Sequence, residues 1–244
     1  MGNTLTKNRI WELDALRGLL IPGMILIHLV YDVVDLYRFV DWPYPEWYSL
    51  FKNNYGALFV LLSGVCVTLG RRSIRRGLTV FAGGVACTIV TCGMYVLGMA
   101  GKGIIIYFGV LHCLGVCMML WPVFRKSKSW QLVLLGAVLT AAGWVLRIHI
   151  YIDMPILMPL GFRFPGFASS DYFPLMPNLG YFLLGAAAGK KLYREKKTLL
   201  PDFPSENPVV RFFRFCGKHS LTIYLAHQPG LAVLCETIAF LRKL

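Results

Sequence analysis

The chain has 244 residues, of which 57% are hydrophobic and only 15% charged, and its mean hydropathy is +0.59. A soluble globular domain carries about 25% charged residues, so that class is excluded and an integral membrane protein is expected. The formal net charge of +13 would suggest a nucleic-acid partner in a soluble protein; here loop topology accounts for it, and no nucleic acid is expected.

Long apolar runs, without the ~10-residue alternating segments of a barrel, predict an all-α, polytopic transmembrane helix bundle. The start, MGNTLTKNRIWELD, is polar and has no small-residue cleavage site, so the first apolar segment is expected to be retained. Seven segments follow, at about 16–37, 54–70, 77–99, 103–123, 130–149, 172–193 and 216–240, in a single membrane-embedded domain covering 1–244. Each approaches the ~20 residues needed to cross the hydrocarbon core.

The first segment reads LRGLLIPGMILIHLVYDVVD and carries Arg17, His28, Asp32 and Asp35. At about 100° per residue, His28 falls about 20° past three turns from Arg17, so the two share a face. Asp32 follows by one turn and Asp35 by about two. The result is a polar stripe from one end of the helix toward the other, with His28 ~16 Å deeper than Arg17. Charged groups at mid-membrane cost ~2.5–3.5 kcal/mol each, so such a stripe faces a bundle interior or a wet cavity.

The connection after the second segment, RRSIRRG, is basic, as are 125–128 and 190–214. Placing Lys7, Arg9, Arg71, Arg72, Arg75, Arg76, Arg125, Lys126, Lys128 and the cluster after Gly189 on one side gives an N-in, C-out topology by the positive-inside rule. The opposite connections, at 38–53 and 147–171, are long and rich in Pro, Gly and aromatic residues, the composition of loops that fold back over a mouth. Cys66, Cys87, Cys92, Cys113, Cys117, Cys216 and Cys235 all lie in apolar runs, and no Cys or His cluster has metal-ligand spacing. They read as small buried hydrophobes, and no metal is expected. His112 lies in the fourth segment, where it serves packing or supports a substrate. In the last segment Ser220, Tyr224 and His227 share a face at spacings of four and three, as site donors and acceptors or as interhelical hydrogen-bond glue.

Five stretches in order resemble one superfamily. LDALRGLLIPGMILIH resembles the opening helix of the membrane-embedded acyltransferases, and ALFVLLSG resembles their second-helix motif. FGVLHCLG resembles a middle helix, SSDYFPLMPNLGYFLLGAAAGKKLY a segment of the small bacterial branch, and GKHSLTIYLAHQP the last-helix Ser…Tyr…His motif. The chain is therefore similar to the heparan-α-glucosaminide N-acetyltransferase catalytic-domain kind. Larger relatives have ten or eleven helices. No His lies between residues 29 and 111, so relatives that use a His in the first outer loop have no counterpart here, and the weight falls on His28.

The resemblance implies a plasma (inner) membrane enzyme that moves an acetyl or other acyl group from cytoplasmic acetyl-CoA to a hydroxyl or amine of a glycan or small molecule on the far side. His28 is the expected base or transient acyl carrier, since imidazole titrates near neutrality. Asp32 is expected either to orient its ring, as in a triad, or to pair with an outer-loop Arg. Arg17 either pairs with a CoA phosphate or with Asp14, one turn earlier. Arg71 and Arg72 are expected at the CoA phosphates, and Ser220, Tyr224, His227 and His112 in substrate-binding or supporting roles. Membrane lipid is an expected partner, and a homodimer is open. A small transporter or flippase using the stripe, and a non-enzymatic envelope assembly protein, are the alternatives.

Overall fold

A computed structural model describes residues 10–149 and 154–242. Among the described residues every regular element is a helix, and the one β-bridge, between Phe108 and Tyr172, is isolated. The helices are α1 (Trp11–Tyr31), α2 (Glu46–Val67), α3 (Ser73–Val96), α4 (Val110–Phe124), α5 (Ser129–His149), α6 (Leu175–Leu192), α7 (Pro208–Lys218) and α8 (Ser220–Leu241). α1 runs on without a break into a π-helical turn at Asp32–Leu36. Four helical stretches, Trp11–Leu36, Glu46–Val67, Ser73–Val96 and Ser129–Leu146, are long and apolar enough to cross a membrane. α4 is as apolar but has only 15 residues.

The fourth expected segment starts late for a physical reason. Residues 105–108 are apolar but extended, because the strip 169–173 hydrogen-bonds to them. Ser170 Oγ donates to the Ile104 carbonyl (2.7 Å), Ser169 Oγ to that of Ile105 (2.8 Å), and the Phe173 amide to that of Phe108 (2.9 Å). An apolar run of this length is equally compatible with an extended segment and with a helix. The last expected segment, 216–240, joins the end of α7 to most of α8; the two helices are separated at His219.

Contacts divide the chain into two compact units. Of the described residues, one comprises 10–40 and 191–242, and the other 41–149 and 154–190. In the first, α1 packs against α7 and α8. Its start is pinned by Glu12, whose carboxylate accepts from the Leu199 amide and the Thr198 hydroxyl, both at 2.8 Å, while Trp11 stacks on Phe203. Gly18 of α1 and Gly217 of α7 face each other so closely that a Cβ on Gly18 would collide with the Phe213 carbonyl, and one on Gly217 with that of Asp14.

The second unit is a bundle of α2 to α6 joined by the same device. A Cβ on Gly64 or Gly185 would strike the backbone of α6 or α2, respectively, and Gly77 and Gly115 bring α3 and α4 together. Lipid tails are as apolar as Leu, so membrane helices gain from close packing through small residues rather than from water exclusion. The core here contains Val60, Trp121, Leu132, Phe182 and Leu183, all nearly inaccessible.

Candidate functional site

The polar stripe of α1 meets α8 within the first unit. The rings of His28 and His227 are 4.7 Å apart, centroid to centroid, at 77°, and Tyr224 packs edge-on to both. Each imidazole is oriented by its own helix. His28 Nδ1 lies 2.9 Å from the Met24 carbonyl one turn back, and His227 Nδ1 bonds to the Tyr224 carbonyl. A carbonyl can only accept, so each Nδ1 carries a proton, and in the neutral ring Nε2 keeps its lone pair. His227 Nε2 is buried with no hydrogen-bond partner. Neutral rings so held are fixed in one tautomer, with the proton on Nδ1 and Nε2 as the acceptor.

Asp32 is fully buried. Its carboxylate is not bonded to the His28 ring; both its oxygens accept from the Gln228 side-chain amide, at 2.9 and 3.0 Å. Two donations to a buried carboxylate are the satisfaction that burial demands. Gln228 was not among the residues singled out in the sequence. Its signal was available: an amide in an apolar span, one turn beyond Tyr224, needs a polar partner. The stripe ends at Asp32. The π-helical turn winds more slowly than an α-helix, and Asp35 comes out exposed.

Arg17 lies at the other end of the helix. Its Nη1 is 3.3 Å from the Asp14 carboxylate and 3.4 Å from the Gly217 carbonyl, so the Asp14 pairing considered from the sequence is formed. Ser220 is the first residue of α8, half-buried. The first unit thus brings together His28, Asp32, Tyr224 and His227, and holds Arg17 in a separate contact between α1 and α7.

His112 belongs to the second unit and is built into its packing. Its Nδ1 accepts from the Gly109 amide (3.2 Å) at the start of α4, which leaves the proton on Nε2, 3.5 Å from Thr88 Oγ1. Thr88 in turn donates to the Ile106 carbonyl (2.6 Å). The ring is 4% exposed and lies between Phe81 and Phe108. Nδ1 thus caps the start of α4 itself, and Nε2 faces Thr88 of α3, so both nitrogens are engaged within the packing of the second unit.

Arg71 and Arg72 line a cleft of about 360 Å³ in the second unit, with Gly70, Ser73, Arg75, Trp121, Pro122 and Arg125. Among the described residues no carboxylate forms an ion pair with these four arginines. One wall is apolar, and Lys190 closes the end of α4 by donating to the Arg125 (2.7 Å) and Ser127 (2.5 Å) carbonyls. Concentrated guanidinium groups without counter-charge suit an anion, phosphate above all. Arg71, Arg72 and Arg75 stand in one basic run of the sequence, whereas Arg125 comes to the cleft only through the α3–α4 contact.

Comparison with known proteins agrees with the resemblance noted from the motifs. The family described as heparan-alpha-glucosaminide N-acetyltransferase, catalytic, matches residues 9–229, which includes α1, the strip 169–173 and the His227 turn. No curated protein and no solved structure matches the chain.

Proposed function

Because the chain belongs to this catalytic family of membrane acetyltransferases, we propose that it transfers an acetyl group from acetyl-CoA on the cytoplasmic side to a glycan hydroxyl or amine on the opposite side of the plasma (inner) membrane. The observation that carries the reading is the His28–His227 pair, 4.7 Å apart, with both Nδ1–H groups committed to backbone carbonyls. His28 Nε2 takes the proton of the acceptor O–H or N–H. The acceptor's lone pair attacks the thioester carbonyl, the C–S bond breaks, and the proton passes to the departing sulfur. The products are the acetylated acceptor and CoA thiol. Tyr224 and His227 surround the imidazole and limit its rotation, and the Gln228-bound Asp32 carboxylate stabilises the imidazolium electrostatically one turn away.

The donor's phosphates belong, on this proposal, with basic groups: Arg71 and Arg72 in the cleft of the second unit, with Arg17 as the candidate in the first. The support is that, among the described residues, no carboxylate pairs with the arginines of the cleft.

The deciding assay is acetyl transfer by the purified protein, with acetyl-CoA and a panel of amino sugars and neutral sugars, followed by mass spectrometry of the products. His28→Ala is expected to lower kcat by about 10²–10⁴, the range for loss of a positioned base. Unchanged transfer by His28→Ala removes His28 from the mechanism. Uptake of a sugar into vesicles without acetyl-CoA would favour transport instead.

A further inference from the structure

α7 is too short and too charged to be a span, and it carries a feature the acyl-transfer reading does not use. Its sequence is PVVRFFRFCGK. At helical spacing, Val209, Phe212 and Phe215 fall on one arc, and their exposures are 63%, 58% and 59%. Arg211 and Lys218, seven residues apart, form an exposed edge beside that arc. The third side, with Phe213 and Gly217, packs on α1. The helix therefore has a protein face, an open aromatic face and a basic edge.

Its depth is set by the residues it touches. Gly217 meets Asp14 and Gly18, and Phe213 meets Gly18. At this level α1 changes from polar to apolar: Glu12, Asp14 and Arg17 lie on one side, and the run from Leu19 to Val30 on the other. A membrane helix makes that change at the headgroup layer. Three aromatic or aliphatic side chains left open there, with cations beside them, match the pattern of a helix that lies against a lipid surface. The start of the helix is firm: Pro208 is at the first position, Asn207 accepts from the Val209 amide (2.9 Å), and Arg214 is held by the Ser205 carbonyl (3.0 Å) and Glu206 (2.9 Å). Arg214 is thus already paired with Glu206, whose charge Arg211 and Lys218 also feel, and these two exposed side chains are the cations offered to an outside partner. By the positive-inside argument this surface faces the cytoplasmic leaflet, where anionic lipid concentrates.

We propose that α7 is an anionic-phospholipid docking surface, with Val209, Phe212 and Phe215 in the boundary between headgroups and acyl chains and Arg211 and Lys218 on lipid phosphates.

The test uses the full-length chain in vesicles of phosphatidylcholine alone and of phosphatidylcholine with about one-third phosphatidylglycerol. The anionic vesicles are expected to raise Tm by about 4 °C, on the scale of ~2–4 °C for each small increment in a chain of this size. High salt should remove most of the gain. Arg211→Gln/Lys218→Gln should keep the wild-type Tm in phosphatidylcholine and lose at least half of the gain from phosphatidylglycerol. Inorganic phosphate added to phosphatidylcholine vesicles should give no gain. A wild type indifferent to phosphatidylglycerol, or a double variant with the full gain, overturns the proposal. So does a dimer that Phe212→Ser/Phe215→Ser dissociates, since a second copy would then occupy the face.

Discussion

At the scale of single residues, Gln228 is the group whose removal tests the site most cleanly. Its amide supplies both donors to a carboxylate with no access to water. Gln228→Leu deletes the donors and leaves Asp32 in place, so the buried carboxylate loses its compensation. Removing one partner from a buried charged hydrogen-bonded group costs about 3–5 kcal/mol. A loss of that order is expected in thermal or denaturant unfolding in detergent, and Asp32→Asn in the same background should recover part of it, because a neutral amide costs less to bury. An equal loss in both variants would mean that the damage comes from packing alone. His28 and Asp32 were legible in the sequence because they are costly residues in an apolar span. Gln228 was not, because its meaning depends on α1 lying against α8, a contact across 196 residues. Asp35 was misaligned for a local reason: a helical wheel assumes one pitch, and the π-helical turn changes it.

At the scale of elements, the bundle rests on glycine contacts rather than on volume. Gly217 faces the Asp14 carbonyl with no room for a methyl group. Gly217→Val must push α7 from α1 and weaken the Arg17 contact with the Gly217 carbonyl. Overpacking costs typically 1–3 kcal/mol, and a clash with backbone on both helices belongs at the upper end, ~3 kcal/mol. The expected signature is a lower Tm with loss of protection from proteases in the basic stretch 190–214, while the second unit keeps its own resistance. Just before α7, Arg214 holds the Glu206 carboxyl below its usual range through its hydrogen bond, so this staple acts at neutral pH and weakens only in acid. Helices α2, α3 and α5 were readable because a long apolar run has one solution in a membrane. α7 was not, since RFFRF alternates too briefly for a span search and its partner face appears only once α1 is beside it.

At the scale of the whole molecule, the basic side chains are unevenly distributed. The formal net charge of +13 arises from 25 basic and 12 acidic residues, and the cleft with Arg71, Arg72, Arg75 and Arg125 gathers four of the basic ones without a carboxylate. Acetyl-CoA binding by calorimetry is expected to weaken by at least tenfold in Arg71→Gln/Arg72→Gln, and to weaken with added salt in the wild type, because exposed charge pairs are screened within about 10 Å at 0.1 M. Binding unaffected by both would leave the arginines as topology signals only. Family membership was legible from five ordered motifs. The pairing of His28 with His227 was not, because each motif names its residue without saying which other motif it meets.

The hydrogen bonds between Asp32 and Gln228 also bear on biosynthesis. At 5–20 residues per second, about 10–40 s of translation separate the two residues. For much of that interval Asp32 has left the ribosome as a carboxylate with no amide to hold it. The nascent protein must therefore keep Asp32 hydrated, protonated or sheltered by the insertion machinery until α8 arrives. A ribosome stalled before Gln228 should leave a product that the cell's membrane proteases recognise as unfinished.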